Sequence, residues 1–302
     1  MAKASCLRVV ESPGRGRICV ATRRLRAGEA VLREEPLLLV PEAACGEERC
    51  RALQRASGFD AGMWATYFAC AGLAPRELAE VSALHAPQDS RKAKLWRELL
   101  QAAEAAVRDL LPAFDAELFL QVNLAFSFNC FGCQLAKRDG SGPGRFVGYG
   151  VFRTASRANH SCCPNVSCRT LGRRGALVAH AVRDVAAGEE VCPSYLGAAS
   201  LLLPVAERQQ RLEAQYEFLC QCPRCAAGFD DVLVYPCGRP HCGGSFHLRT
   251  ESGAQETGSA ATPCSACGLP PGDEALLACA RRDAELARAL EAREGGGALA
   301  AP

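Results

Sequence analysis

Asn159-His160-Ser161-Cys162-Cys163-Pro164-Asn165 is the stretch on which the fold turns. Far downstream lies Cys220-x-Cys222-x2-Cys225, a compact run of three thiols. A structural zinc takes four ligands in tetrahedral geometry, and four thiolates can supply them all. The short run offers three, so a fourth has to come from elsewhere. If Cys162 supplies it, the metal ties a remote tail back onto the segment bearing Asn159 and His160, and a pocket forms from two distant stretches.

The rest of the composition sets the class. The 302 residues suffice for one large domain or two smaller ones with a real core. Thirty-five Lys and Arg against 33 Asp and Glu leave a formal charge of +2, which points to neither a polyanion partner nor an acidic tail. An apolar content of 49% excludes a disordered chain. No apolar run reaches about 18 residues, so no membrane partner is expected. Met1 to Glu11 lacks an apolar signal core, and the protein is expected inside the cell, in the nucleus, the cytoplasm or both. In that reducing setting the clustered members of the 19 cysteines read as metal ligands, and the odd count fits poorly with complete disulfide pairing.

Short strands are predicted at Leu7 to Val10, Ile18 to Ala21 and Ala30 to Val40, separated by Pro13-Gly14-Arg15-Gly16 and Ala27-Gly28. Cys50 to about Leu73 reads as helical, with Met63, Trp64, Tyr67 and Phe68 as an apolar stripe. Arg91 to Leu111 is the clearest helix, with Leu95, Leu99, Ala102, Ala106 and Leu110 on a 3.6-residue period, and Pro112 stops it. Further helices are predicted at Ala116 to Ala125, Val205 to Phe218 and Glu274 to Ala292. Strands are predicted at Phe146 to Phe152, Ser167 to Thr170 and Ala176 to Ala181. Ser141 to Gly144, Gly172 to Gly175 and Gly253 to Ala261 read as loops or turns, and the Gly/Ala end as frayed. No repeat and no parallel βαβ series is visible.

Five landmarks stand in a fixed order: Gly14-Arg15-Gly16, Asn159-His160-Ser161-Cys162-x-Pro164-Asn165, Gly188-Glu189-Glu190, Ser194-Tyr195 and Tyr216-x-Phe218-x-Cys220-x-Cys222-x2-Cys225. Over roughly residues 3 to 226 this order resembles a SET-domain protein lysine methyltransferase, with the closest resemblance to the SET-and-MYND group. The resemblance implies an irregular β-rich, threaded SET fold with a helical insertion and a cysteine-rich zinc-binding C-terminal region. It divides the chain into 3–48 and 126–198 for the SET core, 49–125 for the insertion and 199–226 for a post-SET helix and zinc cluster, and the residues beyond read as a zinc-ribbon-like extension over 227–280 and a helix and tail over 281–302. The group's MYND module uses seven cysteines and one histidine, and only Cys45, Cys50 and Cys70 lie in the insertion. On that ground a chain lacking a recognisable MYND zinc module is expected.

The implied activity is S-adenosylmethionine-dependent methylation of a protein lysine, with histone as one compatible substrate. The alternative is a non-catalytic SET-like module for protein interaction. By the resemblance Tyr195 is the central catalytic tyrosine, while Tyr216 and Phe131 line the lysine channel. Arg15, Gly16, Asn129, Asn159, His160 and Phe218 hold the cofactor, Phe218 against the adenine ring. Each has a plainer reading: Tyr195, Tyr216 and Phe131 as core aromatics, His160 as a satisfied core histidine, and Gly-Arg-Gly as a simple turn. The chemistry asks for a neutral amine held in line with a reactive methyl donor, hence a desolvating channel with a few oriented polar groups.

Cys162, Cys220, Cys222 and Cys225 form the first expected zinc set. Cys237-x4-Cys242-x21-Cys264-x2-Cys267 reads as a second, with His241 or His247 as alternative ligands. Cys163, Cys168, Cys192 and Cys279 read as small core fillers. Arg23, Arg24, Arg26 and Arg33, with Arg169, Arg173 and Arg174, read as solvated turns or a surface for a protein tail. Direct nucleic-acid binding is not expected, because no groove-reading signature accompanies them. A monomer is expected.

Overall fold

A computed structural model describes residues 6–135, 145–171, 175–249 and 259–294. The expected turns and loops at 141–144, 172–174 and 253–258, the frayed end over 295–302, and Arg173 and Arg174 lie outside the described residues. The chain divides into two compact units, one built on Met1–Asn159 and Pro164–Pro193, the other on His160–Cys163 and Ser194–Ala300. The architecture is a mixed SET-like fold of several small sheets and helical regions, with a cysteine-rich region toward the C-terminal part.

In the first unit β1 (Leu7–Ser12) and β2 (Gly16–Ala21) pair antiparallel, with Ser12 opposite Gly16. Gly14 and Gly16 both take positive φ, 74° and 65°, so the Gly-Arg-Gly turn demands its glycines. The predicted strand Ala30 to Val40 is two strands, β3 (Ala30–Glu34) and β4 (Leu38–Pro41). Pro36 lies between them and has no N–H for a ladder, which lets the halves join different sheets. β5 (Phe131–Leu135) and β6 (Arg145–Val151) flank β4 in the order β4-β6-β5, and β7 (Val166–Leu171) and β8 (Ala176–Ala181) give the order β3-β8-β7. Leu7, Cys19, Leu25, Val31, Phe152, Leu177, Val185 and Val191 bury their side chains in one core among these strands.

Six helices separate β4 from β5: α1 (Glu42–Cys45), α2 (Glu48–Ser57), α3 (Ala61–Ala71), α4 (Pro75–Ser82), α5 (Arg91–Leu110) and α6 (Ala116–Asn129). The helical stretch predicted from Cys50 is divided at Gly58, which caps α2 in the left-handed region at φ 76°. Asp60 then caps α3 by accepting from Gly62 N at 2.7 Å. Trp64, Tyr67, Phe114 and Phe119 interlock, the Trp64 and Phe119 rings 4.5 Å apart. On α5 the predicted apolar stripe faces outward: Leu95, Leu99 and Leu110 are about half exposed, at 53%, 47% and 54%. Ala93, Trp96, Leu100 and Val107 are buried instead. Both stripes follow the helical period, and the one carrying Trp96 removes the larger apolar area from water.

The second unit holds α7 (Val205–Tyr216), α8 (Pro223–Ala226), the antiparallel hairpin β9 (Phe229–Pro236) with β10 (Ser245–Arg249), and α9 (Asp273–Glu294). Tyr235, Phe246, Ala261 and Cys279 form its distal core. Among the described residues no helix is long and apolar enough to cross a membrane.

Candidate functional site

Two sets of four cysteines bring their sulfurs together, and both lie in the second unit. The first is Cys162, Cys220, Cys222 and Cys225, with all four ligand atoms within 4.8 Å of one another. Cys162 thus meets the distant run as its spacing suggested. His160 braces it. The Tyr195 amide donates to His160 Nδ1 at 2.9 Å, so the imidazole proton sits on Nε2, which lies 3.2 Å from Cys162 Sγ. Both ring nitrogens are engaged, which leaves the imidazole no free nitrogen for acid-base work. Gln209, on α7, clips Cys220 by both its N–H (2.6 Å) and its C=O (2.7 Å).

An aromatic group packs on this cluster. Tyr195 and Phe218 pack on the His160 ring and Tyr216 packs on Tyr195, with Tyr195 and Tyr216 centroids 4.9 Å apart and Tyr195 and Phe218 edge to face at 6.3 Å. A backbone device aims two of the rings. Glu217 ends α7 at φ 58°, ψ 36°, a left-handed conformation that costs a non-glycine residue about 1 kcal/mol. The reversal turns the chain between Tyr216 and Phe218, so both rings join one group.

In the first unit the Glu190 carboxylate joins two other landmarks. Arg15 Nη1 meets Glu190 Oε2 at 2.7 Å, and Asn159 Nδ2 donates to Oε1 at 3.1 Å. The buried Asn165 holds this corner: its Nδ2 donates to Glu190 O at 2.8 Å and its Oδ1 accepts from Cys192 N at 2.8 Å. Glu190 is a residue that sequence reasoning treated only as part of a turn. Its pairing needs partners from two other loops, which no local pattern discloses. Asn129, at the end of α6, donates its amide to His85 O and Ala125 O, each at 2.6 Å, leaving its side-chain oxygen for other contacts. Phe131 rests edge to face on Phe152, 5.5 Å away, at the margin of the first-unit core.

The second set is Cys237, Cys242, Cys264 and Cys267. Neither His241 nor His247 belongs to it. Cys237 follows directly on β9, and its N–H donates to Gly244 O at 2.9 Å. The pairs Cys237–Cys267 and Cys242–Cys264 stand 3.8 and 3.6 Å apart. Tetrahedral zinc with sulfurs at about 2.3 Å needs sulfurs roughly 3.8 Å from one another, so this set fits the ion. Gly244 completes the cradle, because a Cβ there would collide with Cys264 Sγ and lie 2.7 Å from Ala266 N. The N–H groups of Cys267 and Ala266 donate to Cys264 Sγ and pull its pKa down to about 6.

These paired clusters correct one expectation. A chain without a recognisable MYND zinc module was anticipated from the insertion, yet two four-cysteine clusters resembling a MYND-type zinc module are present. They lie outside the insertion, whose Cys45, Cys50 and Cys70 belong to neither. Of the other thiols, Cys192 is buried and Cys168 partly buried, each pushed up to about 12 by burial, and Cys279 is buried. Cys163 is exposed and fills no core. Arg23 and Arg24 pair with Glu29 and Asp184, in keeping with solvated turns.

Comparisons with known proteins place the chain among SET-domain proteins. A family model described as the SET domain matches residues 16–196. Histone-lysine N-methyltransferase SET5 of Meyerozyma guilliermondii is 42% identical over 77 residues, 25% of this chain and 15% of that protein. N-lysine methyltransferase SMYD2-B of Xenopus laevis is 36% identical over 143 residues, covering 46% of this chain and 31% of its own length. Histone-lysine N-methyltransferase SMYD3 of Homo sapiens is 36% identical over 130 residues, 43% and 26% of the two chains. The matches thus span less than a third of each of these relatives. Among solved structures, the SET domain of LSMT bound to lysine and AdoHcy aligns over 73% of this chain and 54% of that one, at 15% identity and a TM-score of 0.41.

Proposed function

This chain belongs to the SET-domain family, and from that premise we propose that it is an S-adenosylmethionine-dependent protein-lysine N-methyltransferase with structural zinc. The observation that carries the reading is the aromatic group of Tyr195, Tyr216 and Phe218 packed on a four-cysteine cluster. Relatives named as lysine methyltransferases support it.

S-adenosylmethionine, when bound, supplies an electrophilic methyl group on a sulfonium cation. In the first unit Arg15, Asn159 and Glu190 offer both charge signs and an amide, a donor set suited to an amino-acid zwitterion, and Gly16 permits close backbone approach. Asn129 is proposed to contribute through its side-chain oxygen, and His160 through its main chain. In the second unit Phe218 offers a ring face for adenine, and the tyrosine faces favour a nearby cation. Tyr195 orients the lysine amine, with Tyr216 as a wall of its channel. The same role as channel wall is proposed for Phe131. A lysine with its ordinary pKa of about 10.4 is protonated at neutral pH, and aromatic walls favour its neutral form by desolvation.

The zinc ions are structural, since four thiolates leave no open position. The substrate is a protein lysine, and histones are the first proteins to test, because relatives carry both histone-lysine and general lysine names. Zinc-loaded protein incubated with labelled S-adenosylmethionine and a protein mixture that includes histones should yield methylated lysines, mapped by mass spectrometry. Tyr195→Phe should retain its fold and cofactor binding while transfer falls by about 100-fold, the size of losing one oriented transition-state contact. Equal transfer by both proteins removes Tyr195 from the reaction, and no cofactor binding by folded wild type removes the activity.

A further inference from the structure

The first four-cysteine cluster sits beside an excess of buried positive charge. Arg208, on α7, is fully buried, and Arg224, on α8, is nearly so, with side-chain exposures of 0% and 8%. Among the described residues they share one carboxylate, Asp230 on β9, which is itself 5% exposed. Arg208 Nη1 donates to Asp230 Oδ2 and, at 2.6 Å, to Leu203 O. Arg224 meets Asp230 in a fork, Nε to Oδ1 at 2.8 Å and Nη2 to Oδ2 at 3.0 Å. It also donates to Cys162 O at 3.3 Å and Leu201 O at 2.8 Å. Among the described side chains, two guanidiniums against one carboxylate leave a net +1 away from water. A buried, unbalanced charge is strongly unfavourable.

The imbalance has a neighbour of opposite sign. Arg208 Nη2 points at Cys225 Sγ, 3.6 Å away. Its Nε is the one buried side-chain nitrogen or oxygen among the described residues with no hydrogen-bond partner. Four neutral thiols would leave the +1 uncompensated. Four thiolates around a divalent zinc carry −2, which the +1 reduces to −1. Among the described residues the second cluster has no such arrangement: Arg239 lies 3.5 Å from Cys237 and Cys267 but is partly exposed, where solvent screens it.

We propose that Arg208 is the charge-compensating positioning residue of the Cys162–Cys220–Cys222–Cys225 metal site. Through Asp230 it fastens that site to β9, the strand that runs directly into Cys237 of the second cluster. This rests on the zinc reading above, and one experiment separates the two. Zinc ions per molecule are counted by native mass spectrometry during titration with a chelator. Cys225→Ser and Cys264→Ser identify which ion leaves. Wild type should hold two ions, and a wild type with none at the first cluster removes the zinc reading itself.

Arg208→Gln should release the first ion at about 10–100-fold less chelator, the usual range for loss of a partner contacting a metal ligand. Arg208→Lys, which keeps the charge, should stay nearer to wild type. Adding Asp230→Asn to Arg208→Gln restores the net +1 through Arg224 and should recover much of the lost affinity. A purely packing role predicts the opposite: Lys and Gln equally weak, and the double variant weaker still. Either of those results, or an Arg208→Gln protein that holds its zinc like wild type, overturns the proposal. Arg224→Gln cancels the same +1 from a less buried position and supplies the measurement if Arg208→Gln does not fold.

Discussion

The two four-cysteine clusters share a ligand set and differ in everything around it. The first draws Cys162 from far up the chain and is enclosed by α7, aromatic rings and a buried Arg-Asp-Arg bridge. The second is assembled within 31 consecutive residues, from Cys237 to Cys267 (267 − 237 + 1), and Cys267 is exposed. Backbone N–H groups rather than buried charges serve its sulfurs. A long-range cluster of the first kind closes a fold, because its ligands can meet only when distant segments are already placed. A local cluster braces the hairpin that carries it. The same ligand chemistry, if metal is bound, would therefore have different reach in the two places.

The sharpest way to break this contrast is Cys220→Ser. One ion should be lost, the region over 194–226 should become protease-sensitive, and methyl transfer should fall at least about 100-fold, since metal binding at such a site is folding free energy. Limited proteolysis with mass-spectrometric zinc counting checks it, and a variant that stays ordered and active would merge the two clusters into one class. Next in size is Gly244→Ala. The added Cβ collides with Cys264 Sγ, so the second ion should leave at lower chelator and the melting temperature should drop, with overpacking costing about 1–3 kcal/mol. Transfer to a short peptide should stay within about threefold, and a larger fall would give the second cluster the reach of the first. The smallest effect belongs to Arg239→Gln, which should shift release of the second ion by less than about threefold because its charge is screened. A shift as large as that expected for Arg208→Gln would show that burial does not separate the two arginines.

Much of this contrast was legible in the chain itself. Cysteine spacing is local information, and it singles out both sets of four cysteines whose sulfurs meet in the fold, once Cys162 is admitted. The Gly-Arg-Gly turn was legible for the same reason, since Gly14 and Gly16 take φ values that favour glycine. The partnerships of charged side chains were not. Nothing about Arg208 marks it among the arginines of α7, and Asp230 becomes its partner only when the fold brings β9 within reach of its side chain. Glu190 likewise reads as a turn residue until Arg15 and Asn159 meet it. The α5 stripe shows the limit in its plainest form: Leu95 and Leu99 satisfy the helical period as well as Trp96 and Leu100 do, and periodicity alone does not name the face that packs.

By itself, then, the sequence determined which residues could bind metal, the order of the SET landmarks, and the places where glycine or proline forces the backbone to turn. These depend on chemistry and spacing along the chain. Tertiary structure alone decided which side of α5 is buried, which nitrogen of His160 carries its proton, and which buried charge stands next to the first cluster's sulfurs. Each of those depends on what lies across a few ångströms of space, where burial and the nearest opposite charge set the free energy.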